Sequence, residues 1–216
     1  MQIAAPNLPK ELTESKELRI LINRAIRDET KIEGLKFSGE QEISAYFERA
    51  EFEQVVFENC RLSNCDFTKG SFVDVLFQSC DLSNCKFSDG YFNRCVFDNC
   101  KVVGSNFSDS VVKDSLFTYS NFQYAVFMDS KFTYFKGEHS DFSQGDFTQC
   151  KLKDTAFSEC EFFSTQFHRT PLKGVDFSDC FVGNLGVEVQ CNELKGAVFS
   201  YEQLPDLAGL LGIIIK

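Results

Sequence analysis

Residues 60–79 read CRLSNCDFTKGSFVDVLFQS and residues 80–99 read CDLSNCKFSDGYFNRCVFDN, so the chain nearly repeats itself after twenty residues. Within each block a bulky apolar residue returns at every fifth position. From Phe47 to Phe177 this position occurs 27 times, and it holds Phe 20 times, Leu four times and Val twice, with Gly137 as the exception. The position two residues earlier is small from Ala45 to Val175, except at Phe135. Such an unbroken register is the signature of a repeat architecture.

A spacing of five residues fits neither a helix nor a continuous strand. Five helical steps of about 100° carry the next Phe off the first one's face, and five strand steps carry it to the opposite side. The chain must therefore turn a corner once in every five residues, and four such sides complete one coil. The pattern predicts a four-sided all-β solenoid whose coils pair at the strand spacing of about 4.8 Å.

The small position explains an unusual cysteine content. Nine of the ten cysteines occupy it: Cys60, Cys65, Cys80, Cys85, Cys95, Cys100, Cys150, Cys160 and Cys180. A small side chain is expected there because it points inward near a corner, and Cys is a small buried hydrophobe. The spacing gives no CxxC pair and no nearby His, so we expect neither a metal site nor a cofactor.

One coil breaks both rules at once. Phe135 is large where a small residue is the rule, and Gly137 is empty where a large one is the rule. We expect the Phe135 ring to occupy the space that Gly137 vacates. The alternative is a local bulge or short loop at 135–139.

The N-terminal end departs from the repeat. Ile32 and Phe37 are in register but Glu42 is not, so GEQEIS at 39–44 is expected to be a loop inside an imperfect first coil. Within 14–29, Leu18, Leu21, Ile22, Ala25 and Ile26 have helical spacing. We expect 1–30 to form a cap with a short helix, although the ILI run also suits a strand, and 31–190 to form the solenoid.

The C-terminal end, 191–216, is expected to form a helix and a dimerisation module. An apolar helical stripe follows the decay of the repeat after Cys180, with Pro205 in the first turn and Gly212 at the end. An apolar tail needs a cover, which is either the last coil or a second subunit about a two-fold axis. The candidate dimer interface is Leu204, Leu207, Leu211, Ile213 and Ile215.

The bulk charge limits the partners. The net charge is −10, which disfavours nucleic acid and anionic lipid and favours a basic protein surface. The N-terminal residues have no apolar core of signal-peptide length, and no apolar run approaches the length of a membrane span. We therefore expect no membrane association and a cytoplasmic location.

Repeats such as CDLSN (80–84), CKFSD (85–89), SNFSD (105–109), GDFTQ (145–149) and VDFSD (175–179) resemble the consensus of the pentapeptide-repeat proteins. The resemblance covers about 30–190 and implies a right-handed quadrilateral β-helix. The ending LKGAVFSYEQLPDLAGLLGIIIK (194–216) is similar to the dimerisation module of the Qnr and MfpA members. Those members imitate duplex DNA and bind bacterial DNA gyrase and topoisomerase IV. The loops that project from several Qnr solenoids have no counterpart here, as in the MfpA type.

Two columns of outward residues are candidate partner-binding surfaces. Asp89, Asp109 and Asp129 lie at one corner of successive coils, either as an anionic ridge for a basic groove or as a solvated face flanked by Arg49, Lys69 and Arg169. The second column is apolar and is either a partner surface or a set of β-forming residues; it comprises Val56, Leu76, Val96 and Leu116. Tyr119, Tyr124 and Tyr134 also lie at outward corners; exposed Tyr is common at interfaces, but three such residues are weak evidence for one.

No catalytic arrangement is visible in the sequence. His139 and His168 are outward and 29 residues apart, and no nucleophile–base pattern or phosphate-binding loop is present. We expect a protein that is not an enzyme. Two hypotheses remain open: a DNA-mimicking modulator of type II topoisomerases, and an interaction scaffold with another protein partner.

Overall fold

The computed structural model describes residues 3–214 and shows a parallel β-solenoid with a short helix near each end. The fold is the right-handed quadrilateral β-helix. Neighbouring coils pair in parallel with an offset of twenty residues, as in Phe52 with Phe72 and Phe77 with Phe97. The strands are β1 (Thr13–Ser15), β2 (Ile32–Glu33), β3 (Leu35–Ser38), β4 (Glu51–Glu58), β5 (Ser71–Gln78), β6 (Tyr91–Asn93), β7 (Val96–Asp98), β8 (Val111–Thr118), β9 (Lys131–Glu138), β10 (Lys151–Ser158), β11 (Glu161–Phe163) and β12 (Phe181–Gly183).

We name the four faces of the rod by one coil and its equivalents at steps of twenty residues. Face A is residues 60–63, face B is 65–68, face C is 70–73 and face D is 75–78. The long strands cover faces C and D, whereas faces A and B pair mostly through isolated bridges such as Arg61 with Asp81. The faces meet at corners, and faces A and C are on opposite sides of the rod. Lower coils are those nearer the N-terminus, and upper coils are those nearer the C-terminus.

The core is a stack of phenylalanine columns. All 27 inward positions of the fivefold register from Phe47 to Phe177, Gly137 included, are buried except Leu152, which is half-buried. Phe77 and Phe97 lie 4.7 Å apart between ring centroids, and Phe97 and Phe117 lie at the same distance with an edge-on orientation. Aromatic pairs at 4.5–7 Å add about 0.5–1.5 kcal/mol each beyond burial. The predicted ring-stacked interior is confirmed.

Side chains at the small inward position form hydrogen bonds to the backbone, which the sequence does not show. The Cys85 thiol donates to the Leu62 carbonyl at 2.7 Å, and the Ser105 hydroxyl donates to the Leu82 carbonyl at 2.6 Å. Both acceptors lie 23 residues back, on the coil below. Ser, Thr and Cys therefore fit this site, because the hydroxyl or thiol of each can donate a hydrogen bond to this carbonyl. The nine predicted inward cysteines are all buried and free.

The exceptional coil stays continuous through Phe135 and Gly137. β9 keeps its register with β8 and β10, so no bulge or loop forms at 135–139. The buried Phe135 ring lies 4.8 Å from Phe117 and 5.9 Å from Phe157, the residues below and above Gly137. A Cβ atom on Gly137 would meet the Phe157 ring at 2.8 Å. Phe135 fills the vacated column as predicted, and Phe157 shares the space.

The corners require a left-handed backbone. The last residue of nearly every pentapeptide has φ between 45° and 69°, from Asn59 at 52° to Arg169 at 58°. Asn, Asp and Gly tolerate this conformation best, because other side chains clash with the following carbonyl. Corner residues are therefore constrained by the backbone, and a corner residue of another type needs a separate reason.

The N-terminal cap contains the predicted helix, α1 (Leu18–Arg27), which buries Leu18 and Ile22 completely against the first coil. The expectation of a loop at 39–44 is wrong. Gln41 pairs with Arg61, and the Glu42 amide donates to the Arg61 carbonyl at 2.8 Å, so this segment keeps the coil register. Glu42 occupies the inward position and is 9 % exposed. Arg19 of α1 makes its burial possible, because the Arg19 Nε atom donates to the carboxylate at 2.7 Å.

The C-terminal end continues the solenoid further than the repeat pattern indicates. Phe199 stacks on Phe177 at 5.5 Å, and Asp176 pairs with Val198, so two extra residues shift the last coil out of step. Gln203 then closes the coil, since its side-chain amide donates to the Phe177 and Cys180 carbonyls at 2.8 and 2.7 Å. Short 3₁₀ segments, Asn192–Leu194 and Tyr201–Gln203, precede α2 (Leu204–Leu210).

Helix α2 begins and ends as predicted. Pro205 lies in its first turn. Gly212 has φ of 70°, the Ile213 amide donates to the Ala208 carbonyl, and the Gly212 amide donates to the Gly209 carbonyl. This is the Schellman arrangement that satisfies the last carbonyls of a helix. Neither helix, nor any other within residues 3–214, has the length and apolar character that a bilayer crossing requires.

Candidate partner-binding surfaces

The aspartate ridge lies where the sequence places it. Asp89, Asp109 and Asp129 are exposed at the corner between faces B and C, on three successive coils. Their φ values are 56°, 59° and 60°. Since Asp is one of the residues that this backbone favours, the three carboxylates have a conformational explanation that needs no partner.

Polar and basic residues border the ridge on both sides. Below it, Lys69 Nζ lies 4.0 Å and Arg49 Nε 3.8 Å from Glu48 Oε1. Above it, the Gln149 side chain donates to Asp129 at 2.7 Å. The ridge is therefore three residues long and continues into neutral and basic side chains.

The apolar stripe on face D is only partly open to solvent. Val56 is buried, whereas Leu76, Val96 and Leu116 are half-buried. The N-terminal segment crosses the adjacent corner, where the Asn7 amide donates to Asp74 at 2.7 Å and Gln54 donates to the Asn7 carbonyl at 3.0 Å. The available apolar surface is smaller than the sequence suggests.

A third surface, which we call the tyrosine–acid patch, lies on the upper part of face A and on its corner with face D. It consists of Tyr119, His139, Asp141, Glu159 and Glu161, which line one shallow depression. The rings of Tyr119 and His139 stack with centroids 4.6 Å apart and planes 5° from parallel. His139 Nδ1 lies 3.3 Å from a Glu159 carboxylate oxygen.

Exposed aromatic side chains surround the patch. Tyr119 is 61 % exposed, and Tyr124, at the other corner of face A, is 52 % exposed. Phe163, on the same coil as Glu161, stacks on Phe181 of the following coil at 6.3 Å, and both rings are exposed. Large exposed aromatic groups on one face are typical of interfaces rather than of a solvated surface.

Several carboxylates of the lower coils have basic partners that the carboxylates of the patch lack. Asp66 pairs with Lys86 at 3.3 Å, and Asp74 pairs with Arg94 at 2.6 Å. Within residues 3–214, Asp141, Glu159 and Glu161 form no ion pair with a lysine or arginine. Asp141 accepts a hydrogen bond from Gln123 at 2.6 Å and is the ladder neighbour of Glu161 on the next coil. Like charges in this relation repel each other.

The pKa of Asp74 reflects its buried pairing. Burial alone raises the pKa of this carboxyl, but the hydrogen bond from Arg94, the amide of Asn7 and the charge of Arg94 together outweigh it. The pKa of Asp74 therefore lies below its ordinary value, and the Arg94 pKa is raised in turn, chiefly by the same hydrogen bond.

The opposite side of the rod carries the opposite charge. From 111 to 173, five of the eight outward positions of face C are exposed lysines: Lys113, Lys131, Lys151, Lys153 and Lys173. Among residues 3–214, only Lys113 of these five has an ion pair, with Asp114 at 3.8 Å. The rod is therefore not uniformly anionic, and its upper coils are polarised across their width.

Helix α2 presents an apolar outer surface. None of its residues is buried. Leu204 is 48 %, Leu211 62 % and Ile213 55 % exposed, while Leu207 is half-buried beside the last coil. Four of the five predicted dimer residues are thus described, and Ile215 lies outside the described residues.

Residues 3–214 contain no group of three or more His, Cys, Asp or Glu side chains arranged to hold a metal ion. Two of the inward thiols, Cys95 and Cys150, are also weakly reactive. Burial raises the pKa of Cys95 and of Cys150 to about 12. These thiols therefore stay protonated and weakly nucleophilic at neutral pH.

Comparison with known families identifies the repeat. A sequence-family model described as a pentapeptide repeat region matches residues 70–140. A second family model, of eight pentapeptide repeats, matches 45–84 and 140–179. The chain belongs to the pentapeptide-repeat family. No curated protein matches the sequence of this pentapeptide-repeat protein.

Solved structures agree with the fold. Two structures of trypsin-treated QnrB1, a plasmid-mediated fluoroquinolone resistance protein, are 19 % and 20 % identical to this pentapeptide-repeat protein, with TM-scores of 0.53 and 0.50. The alignments cover 84 % of this chain and 91 % and 90 % of those chains. HetL from the cyanobacterium Nostoc aligns over 83 % of this chain and 92 % of its own at 9 % identity and a TM-score of 0.37. At these identities the likeness to QnrB1 is one of fold.

The tyrosine–acid patch and the row of exposed lysines on face C, which we call the lysine face, were not predicted from the sequence. A signal for the patch is nevertheless present. Corner residues of face A are Asn, Ser or Gly from 59 to 104 but Tyr, Tyr, His, Gln, Glu and Ser from 119 to 164. The change is visible only once the corner backbone is known to favour Asn, Asp and Gly.

Proposed function

We propose that this protein is a non-enzymatic rod that binds a basic protein partner through its anionic surfaces, and that the partner is a bacterial type II topoisomerase, DNA gyrase or topoisomerase IV. The observation that carries the proposal is the upper part of face A, where four carboxylates and exposed aromatic rings occur without a lysine or arginine. Its acids are Asp141, Glu159, Glu161 and Asp179. Charge of one sign on one face steers a basic partner to that face.

The topoisomerase assignment has two supports. The sequence 194–216 is similar to the dimerisation module of the Qnr and MfpA members, and the fold is shared with QnrB1, which is described as a fluoroquinolone resistance protein. The lysine face argues against imitation of DNA on all sides. We therefore propose mimicry by one side of the rod.

The same proposal includes a homodimer joined through α2. Leu204 and Leu211 lie seven residues apart on the exposed side of the helix, and Ile213 continues this apolar surface. A two-fold contact would cover the surface and align two rods end to end. Replacing Leu204 and Leu211 with Glu leaves Phe199 and Gln203 in place to close the last coil, so light scattering should show dimers for the natural sequence and folded monomers for the double variant.

A supercoiling assay tests the topoisomerase assignment. The purified protein is titrated into DNA gyrase with and without a quinolone. Inhibition of supercoiling, or its rescue from the drug, at micromolar dimer is the expected result. Neither effect at that concentration removes the assignment.

An interaction scaffold with another protein partner is the second candidate. The observation that favours it is the pairing of acids with bases over the lower coils, such as Asp66 with Lys86 and Lys31 with Glu53. Much of the rod is then an ordinary solvated surface. A negative supercoiling assay combined with retained binding of basic peptides would support this alternative.

A further inference from the structure

The upper part of face A carries side chains that its backbone does not favour. The corner residues Tyr119, His139 and Glu159 have φ values of 49°, 45° and 50°. On the lower coils of the same corner column, Ser79 and Asn99 have the same conformation, with φ of 53° at both. The geometry of the corner is therefore constant, and the large side chains are not required by the fold.

Those side chains form a depression with a defined chemistry. Tyr119 and His139 form its aromatic wall, and Asp141, Glu159 and Glu161 supply carboxylates. A carboxylate accepts two parallel N–H donors of a planar guanidinium group, and aromatic rings stack on the plane of that group. A cation placed there also relieves the repulsion between neighbouring Asp141 and Glu161.

The distribution of charge gives the partner one direction of approach. Outward positions and corners of face A from 119 to 184 include four acids and no lysine or arginine. The same face from 59 to 104 includes Arg61, Asp81 and Lys101, one acid and two bases. On the opposite side, the exposed lysines of face C repel a basic partner from the upper coils.

We propose that the tyrosine–acid patch is the recognition site for an arginine-bearing segment of the partner protein. The inference rests on the proposed function, since it names the face and the chemistry through which the basic partner is held. The aspartate ridge is then a solvated corner whose residues suit its backbone.

The test compares variants of equal charge change. Fluorescence anisotropy follows a labelled peptide of alternating Arg and Gly residues binding to the full chain. Glu159→Lys with Glu161→Lys alters one corner and one face position within the patch. Asp154→Lys with Glu51→Lys alters one corner and one face position elsewhere, both exposed and without an ion pair within residues 3–214. Asp109→Lys with Asp129→Lys tests the ridge.

The expected result is at least a tenfold loss of peptide affinity for the patch variant and less than a threefold loss for the control at Asp154 and Glu51. Equal losses for these two variants would mean that only net charge attracts the peptide, and the proposal fails. A larger loss for the ridge variant assigns the site to Asp109 and Asp129 instead. No binding by the natural sequence at low salt also overturns the proposal.

A second measurement separates recognition from folding. Tyr119→Asn with His139→Asn introduces residues that the corner backbone favours. We expect this variant to unfold at a higher urea concentration than the natural sequence and to bind the peptide more weakly. A variant that is less stable and binds as well as the natural sequence would show that the two rings are structural.

The peptide-binding assay and the supercoiling assay test the patch and the topoisomerase assignment separately. If the supercoiling assay is negative and the patch variant still loses the peptide, the patch stands and the enzyme is not the partner. If the natural sequence inhibits gyrase and the patch variant inhibits it equally, the topoisomerase assignment stands and the patch is not its site.

Discussion

Face A below residue 110 and face A above it share one backbone but differ in their side chains. Corner φ values are 52–69° from 59 to 104 and 45–60° from 119 to 164. Below, the corners are small and Arg61, Asp81 and Lys101 alternate in charge; above, the corners are mostly large and the charges are all negative. Because the solenoid makes the same demands on both halves, the difference reports what the upper surface does rather than how it folds.

The largest expected effect contrasts Asp74, a paired acid of the lower coils at the corner between faces C and D, with Glu161, an acid of upper face A. Asp74 is 2 % exposed and paired with Arg94 and Asn7, whereas Glu161 is exposed and without a basic partner within residues 3–214. Asp74→Ala should lower the free energy of unfolding by about 3 kcal/mol, because it leaves a partly buried Arg94 unpaired. Glu161→Ala should change it by less than about 0.5 kcal/mol.

Urea unfolding of the two variants gives both values. Asp74→Asn serves as the milder control, since it keeps the shape of the side chain and removes only the charge. Equal effects at Asp74 and Glu161 would abolish the distinction between lower and upper acids.

The second prediction concerns pH. The folded-state pKa of Asp74 lies below its ordinary value of 3.8, because hydrogen bonds and the charge of Arg94 outweigh burial. The stability that this carboxylate contributes is complete above its unfolded-state pKa and disappears as the pH falls through the folded-state value. The free energy of unfolding, measured from about pH 5 to about pH 2, should fall less steeply in Asp74→Asn than in the natural sequence. An unchanged slope would contradict the pairing.

The third prediction exchanges corner residues between the halves. Asn99→Tyr places a large residue in the left-handed corner conformation below Tyr119 and should cost about 1 kcal/mol of stability. Tyr119→Asn relaxes the corner but loses the stack with His139, so a net gain of roughly 0.5 kcal/mol is expected. Thermal unfolding measures the change in stability of both variants. A loss of stability in both would show that the upper corners are as structural as the lower ones.

In the fourth prediction, the inward cysteines of the lower and upper coils are equally unreactive. Cys60 to Cys100 below and Cys150 to Cys180 above are all buried, while Cys191 is half-buried. A thiol reagent should therefore modify Cys191 alone in the folded protein and all ten cysteines in denaturant. Mass spectrometry identifies the site. Reaction of any inward cysteine at neutral pH would show that the coils open. The lower and upper halves would then differ in their interior as well as on their outer surface.

The sequence determines most of the fold because the solenoid imposes one rule per position. A five-residue spacing with Phe at one site and small residues at another has a single packing solution, and even the Phe135 and Gly137 exception follows from volume. The fivefold pattern does not predict Glu42 at an inward position, because its carboxylate is neutralised by Arg19, 23 residues earlier and on a different element. The pattern also does not predict the last coil, because two inserted residues shift Phe199 out of the fivefold register.

The candidate sites were less predictable for a related reason. Columns of like residues, such as Asp89, Asp109 and Asp129, are visible in the sequence once the period is known. The tyrosine–acid patch consists of unlike residues whose meaning depends on the corner backbone and on which acids lack bases. Net charge likewise averages over face A and face C, so it conceals their opposite signs.

Side-chain footprinting of the peptide complex tests the central claim most directly. Hydroxyl radicals modify exposed tyrosines, and Tyr119 and Tyr124 lie on the upper part of face A, while Tyr46 and Tyr91 are exposed on lower coils. With the arginine–glycine peptide bound, modification of Tyr119 should fall severalfold and that of Tyr46 and Tyr91 should not change. Protection of Tyr91 or Tyr46 instead, or equal protection of all four, would contradict recognition by this face.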